Sequence, residues 1–166
     1  SELDAAVADI RRAGGQARAF ACDVTDPAAV VKLFDGLTRC DVLINNAGGN
    51  TPQPFLDVDV ATLDRLLTLN VRSMFLVAQA AARVMARTGG GTIVHMSSQM
   101  GHVGGPQRSV YCMTKHAIEG LTKAMAIDLA PLGIRVNAVA PTYIETPMTK
   151  PFLEDPAFRA DTVQRI

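Results

Sequence analysis

The run SVYCMTKHAIEGLTKAM, Ser109 to Met125, holds a tyrosine and a lysine four residues apart, Tyr111 and Lys115. On a helix that spacing puts both on one face. A free tyrosine, with a pKa of about 10, is a poor acid or base at neutral pH. A cation within a few ångströms favours the phenolate and lowers that value, which makes the phenol a tuned proton donor or acceptor. A hydroxyl from Ser97 or Ser98 is available to hold a substrate oxygen beside it. The pair by itself is weak evidence, since Tyr and Lys at this spacing also occur as ordinary surface neighbours. The histidines His95 and His116 need no catalytic role, and no histidine or cysteine spacing marks a metal site.

The elements that must position these residues read as alternating helices and strands. Leu3 to Arg12 is a helix stopped by Gly14-Gly15, and Ala17 to Val24 is a short apolar run expected as a strand. Asp26-Pro27 is an N-cap followed by proline at the first helical position, opening a helix to about Leu37. Asp41 to Ile44 is the next strand, closed by NNAGG. Val60 to about Arg87 is a long helix, bent near Asn70, and Gly89-Gly90-Gly91 ends it. Thr92 to Met96 is a strand, SSQMGHVGGPQR a glycine-rich loop, Tyr111 to Ala130 a helix, and Ile134 to Val139 the last clear strand. The tail carries prolines at 141, 147, 151 and 156 and short helical pieces at most. Continuously apolar strands alternating with helices predict an α/β fold: one domain over residues 1–166, a doubly wound, Rossmann-like parallel sheet in three layers. Ligands of such sheets sit at the carboxyl ends of the strands, where the polar and glycine-rich clusters fall.

These residues together resemble the short-chain dehydrogenase/reductase family. Its pattern of Ser, twelve residues, Tyr, three residues, Lys is met by Ser98, Tyr111 and Lys115; Asn45-Asn46-Ala47-Gly48 follows a strand; Asn70 stands within LNV; and Pro141 to Thr146 matches the segment after a later strand. The resemblance covers essentially the whole chain. It implies hydride transfer between a nicotinamide coenzyme, NAD or NADP with a lean to NAD, and an alcohol or ketone. Tyr111 would exchange the proton, Lys115 would lower its pKa and bond the nicotinamide ribose, Ser98 would polarise the substrate oxygen, and Asn70 would hold a water linking the lysine to solvent. Asp23 and Val24 would frame the adenine, and Asn46, Ala47 and Gly48 the adenine ribose and pyrophosphate. Pro141, Ile144 and Thr146 would meet the nicotinamide end. Asn50, Ser98, Gln99, Met100, His102, Tyr143 and the tail holding TPMTKPFLEDPAF would build the substrate side, with a slight tilt to a polar, sugar-like substrate. Asn70 has the plainer reading of a satisfied mid-helix polar group, Asp23 that of a residue starting the next helix, and Ser97 is expected to bond within its own loop.

Two departures stand out. Thr142 occupies a position where the family usually has glycine, and the family's Thr-Gly-x-x-x-Gly-x-Gly turn is not in these 166 residues. The expectation is a sheet incomplete at both ends, with a gap between the strand at Ala17 and that at Asp41, in a chain that is part of a longer polypeptide. A chain of only these residues would lack the pyrophosphate site and have little or no activity; it would then be a non-catalytic binding or assembly module.

Composition narrows the partners. Sixteen basic residues balance sixteen acidic ones, so no nucleic-acid face is expected, and no apolar run reaches membrane-spanning length. Three cysteines without a paired framework fit a reduced, cytoplasmic protein. Apolar residues on more than one face of the two longest helices predict a homodimer or homotetramer.

Overall fold

The structure is a computed structural model that describes residues 1–146 and 149–164; Pro147, counted above among the tail prolines, lies outside them. Three strands, β1 (Val42–Asn45), β2 (Gly91–Met96) and β3 (Ile134–Val139), form one parallel sheet in the order β1-β2-β3. Ile44 stands opposite Val94, and Val94 opposite Asn137.

The helices are α1 (Glu2–Arg12), α2 (Pro27–Asp35), α3 (Val60–Leu67), α4 (Ser73–Arg87), α5 (Ser109–Leu129), α6 (Lys150–Leu153) and α7 (Pro156–Gln164). Their starts follow capping chemistry. Asp26 accepts from Ala28 N at 2.9 Å ahead of Pro27, and Asp59 accepts from Thr62 N at 2.6 Å. The expected bend near Asn70 is a turn of π-helix, Thr68–Arg72, joining α3 to α4.

A parallel crossover is nearly always right-handed, so two crossovers stepping the same way put their helices on the same sheet face. Accordingly α4 packs on β1 and β2, and α5 on β3. Ile93, Ile134 and Val136 point into a core shared with Val30 and Phe34 of α2 and Val77, Ala81, Val84 and Met85 of α4. The alternate residues Val42, Ile44, Arg135, Asn137 and Val139 are exposed. The Rossmann-like parallel sheet with flanking helices is therefore present, and the exposed alternate residues lie on the face opposite this core.

Ala17 to Val24 is a correction to the expected strands. It forms no ladder, because β1 pairs with β2 on one side and with no described strand on the other. A strand exists only through its neighbours, and apolar composition cannot supply one. The segment still contributes Cys22 and Val24 to the core.

Gly90 is needed where it stands. Its φ is +106°, and a Cβ there would lie 2.4 Å from the Gly133 carbonyl oxygen. The turns entering β2 and β3 can thus touch, which sets both strands' carboxyl ends level at the site.

Candidate active site

Tyr111 lies in the first turn of α5, whose start is held by the loop before it. Gln107, the only described non-glycine residue with positive φ (56°), turns the chain, and its carbonyl accepts from Gln53 N at 3.1 Å. Arg108 caps the helix, and its carbonyl accepts from Cys112 N at 2.7 Å. The loop after β2 is tied to the segment after β3, with Ser97 N donating to Val139 O at 2.8 Å and Gln99 N to Pro141 O at 2.9 Å.

A cleft of about 210 Å³ opens between these pieces, lined by Asn50, Ser98, Gln99, Met100, Arg108, Tyr111, Thr142, Tyr143, Thr149 and Phe158. It gathers Ser98, Tyr111 and the substrate-side candidates Asn50, Gln99, Met100 and Tyr143. Ser98 also caps the short turn Gln99–Gly101, its Oγ accepting from Met100 N at 3.2 Å. The Tyr143 ring meets Phe158 of α7 edge to face at 5.5 Å, so the tail forms one wall. His102 is not brought here. Its Nε2 lies 3.3 Å from Glu119 Oε1 on α5, an ion-pair distance without hydrogen-bond alignment. Ser97 also departs from expectation: its hydroxyl is buried without a hydrogen-bond partner among the described residues, pressed against Gly101, where a Cβ would lie 2.9 Å from Oγ.

Lys115 is buried, and its Nζ donates to Met96 O at 2.6 Å and lies 5.5 Å from the centre of the Tyr111 ring. Desolvation lowers its pKa. For Tyr111 burial acts first and pushes the phenol above its usual value; a hydrogen bond from Ser98 and the Arg108 charge pull it down, and the neighbouring Cys112 pushes it up. The Lys115 ammonium bonds the Met96 carbonyl and lies over the ring, and the influences on the phenol named above come from Ser98, Arg108, Cys112 and burial.

Asn70 is fully buried in the π-turn. Its Oδ1 accepts from Gly49 N at 2.8 Å, and its Nδ2 donates to Gly49 O at 2.8 Å and to Thr114 Oγ1 at 3.2 Å. The side chain thus shapes the loop after β1. Asn45, read as structural, donates to Met74 O at 2.8 Å.

The remaining coenzyme-side candidates frame the same sheet edge without lining the cleft. Asn46, Ala47 and Gly48 follow β1, and Pro141, Ile144 and Thr146 follow β3. A Cβ on Gly48 would approach Asn70 Oδ1 to 3.3 Å, so a larger residue would have to displace that contact. Asp23 and Val24 precede α2, and Asp23 Oδ1 accepts from Thr25 N at 2.8 Å and Thr25 Oγ1 at 2.7 Å. That bonding, the Thr25 hydroxyl first, holds the exposed Asp23 carboxyl below its ordinary pKa. Thr149 and Phe158 of the tail line the cleft, as expected of that segment, and Arg108 escaped the sequence reading although it stands three residues before Tyr111.

The short chain dehydrogenase family matches residues 1–157. The chain belongs to that family. Within this short-chain dehydrogenase group, cyclopentanol dehydrogenase of Comamonas testosteroni is 43% identical over 155 residues, covering 91% of this chain and 62% of the relative. A Sinorhizobium meliloti 1021 protein assigned as a short-chain alcohol dehydrogenase superposes with a TM-score of 0.92 at 38% identity, covering 99% of this chain and 67% of that one. A gluconate 5-dehydrogenase from Burkholderia cenocepacia J2315, in complex with NADP and tartrate, gives 0.87 at 32% identity over 93% of this chain and 62% of its own. The chain thus spans about three fifths of the curated relatives' length.

Proposed function

We propose that the protein is an NAD(P)-dependent oxidoreductase that interconverts an alcohol and a ketone, with Tyr111 as its acid and base. The observation that carries this is the convergence of Tyr111 and Ser98 on one cleft, with the buried Lys115 ammonium over the tyrosine ring. Membership of a family whose Burkholderia member was solved with NADP supports the coenzyme class.

The residues present fit a nicotinamide coenzyme. Lys115 offers three N–H donors, and among the described residues one acceptor, Met96 O, takes one of them. The others suit ribose hydroxyls. Asn46 to Gly48 and Pro141 to Thr146 are the loops that would hold the rest. The coenzyme, when bound, supplies the hydride acceptor or donor that no side chain provides. The chain's own part is proton management. Ser98 orients the substrate oxygen, and Tyr111 takes its proton in oxidation or returns it in reduction.

The second proposal concerns assembly as a homodimer or homotetramer. Phe55, Leu56, Val60, Phe75, Met113 and Ile127 are exposed on and beside α3, α4 and α5, more apolar surface than a solvated helix pair needs.

The test is coenzyme reduction by the full polypeptide across a panel of neutral alcohols and polyols, with both coenzymes. Tyr111→Phe should cut turnover about 10²–10⁴-fold with an unchanged circular dichroism spectrum. Wild-type turnover surviving in the variant sinks the assigned role.

A further inference from the structure

Among the described residues, Arg108 is the one charged side chain lining the 210 Å³ cleft, and none of those in its wall is acidic. It also lines an adjoining cavity of about 470 Å³ with Gln99, Met100 and Tyr143, where Asp161 of α7 is the acidic residue. Arg108 therefore stands on the boundary between the two. It is half-buried, and the ion pairs found among the described residues do not include it. The left-handed Gln107 before it and the Cys112 N–H on its carbonyl fix its backbone at the helix start. A positive-φ residue without glycine's freedom carries a conformational cost, and such positions cluster at ligand sites.

Arg108 and Tyr111 line the same cleft three residues apart at the start of α5, and the Arg108 charge favours the Tyr111 phenolate. A guanidinium presents a planar fork of N–H donors that matches a carboxylate in a two-point contact. One cation matches the single charge of a carboxylate better than the nearly doubled charge of a phosphate.

We propose that Arg108 is a specificity-determining residue that holds a carboxylate on the substrate, so that hydroxy acids and the matching keto acids are the preferred class. This rests on the oxidoreductase reading above for its chemistry and adds no step to it. Gln99 and Tyr143, which line both cavities, are placed to meet further hydroxyls of a longer acid.

The test compares short hydroxy acids with their amides, which differ chiefly in charge, on the full polypeptide with coenzyme. Wild type should favour acid over amide in kcat/KM by about tenfold or more, the scale of a charge-assisted hydrogen bond. Arg108→Gln should collapse that ratio, and Arg108→Lys should keep part of it. The ratio divides out any effect of Arg108 on Tyr111. Equal use of acid and amide by wild type, or a ratio unchanged in Arg108→Gln, overturns the proposal. Calorimetric binding of the same pairs separates the two readings. Acid binding that depends on Arg108 without turnover defeats the oxidoreductase reading and keeps the carboxylate subsite; no preference for the acid in binding or turnover defeats the subsite. Should Arg108→Gln fail to fold, the wild-type acid-to-amide ratio and Arg108→Lys still decide.

Discussion

Asn70 and Gly49 are joined by two hydrogen bonds, one to the glycine N–H and one to its carbonyl, each 2.8 Å long. A side-chain amide thereby completes the backbone of a loop that no strand partner reaches. The third bond, to Thr114 Oγ1, links the same residue to α5, three positions after Tyr111 and one before Lys115.

Removing that side chain should loosen the loop before it touches any chemistry. Asn70→Ala strands the Gly49 backbone groups in a part-buried setting, and a loss of about 3 kcal/mol is expected. Denaturant unfolding measures it; a loss below about 0.5 kcal/mol would show that the loop does not depend on Asn70.

Ser98 should tune the proton-transfer group as well as orient substrate. Burial raises the Tyr111 pKa and the Ser98 hydrogen bond pulls it down. On the proposed function, oxidation needs the phenolate, so its rate should rise with pH as Tyr111 deprotonates. Ser98→Ala removes a lowering influence and should move that rise to higher pH. A pH–rate profile of the variant that coincides with wild type contradicts the coupling.

His95 should make the fold sensitive to mild acid. The side chain is fully buried, neither ring nitrogen has a hydrogen-bond partner among the described residues, and burial lowers its pKa to about 4. Above an unfolded value of about 6.5 both states are neutral and the residue contributes no pH dependence. As pH falls from there toward about 4, the unfolded chain binds a proton that the native state refuses, so stability declines. His95→Leu should flatten the slope in this window, measured by denaturant midpoints at several pH values. An unchanged slope assigns the acid sensitivity to other groups.

Association should involve the helix pair. Leu56 is 92% exposed and Ile127 76% exposed. Light scattering on the full polypeptide should give a dimer or tetramer, and Ile127→Glu should shift it toward smaller species. A wild-type monomer at high concentration removes the interface.

The local elements, and the grouping of the candidate residues Ser98, Tyr111 and Lys115, were legible in the sequence because they depend on short-range chemistry. Asp26-Pro27 capped a helix as read, and IRVNAV became β3 over the same residues. The spacing of Ser98, Tyr111 and Lys115 survives folding because one helix and one strand end hold them. The bend at Asn70 was legible too, since an asparagine inside an apolar helix signals a place where backbone order changes.

Tertiary structure decided the rest, because those outcomes depend on what the chain brings alongside. Ala17 to Val24 has strand composition, yet a ladder requires a neighbour that β1 does not offer it. The sheet's helices fall on one face through the shared handedness of successive crossovers, a property of order and direction that no single segment carries. His102 and Arg108 flank the same glycine-rich loop, but the fold turns one toward Glu119 and sets the other beside Tyr111. The sequence by itself determined which residues can manage a proton; packing determined which charges surround them, since desolvation and distance exist only in the folded chain.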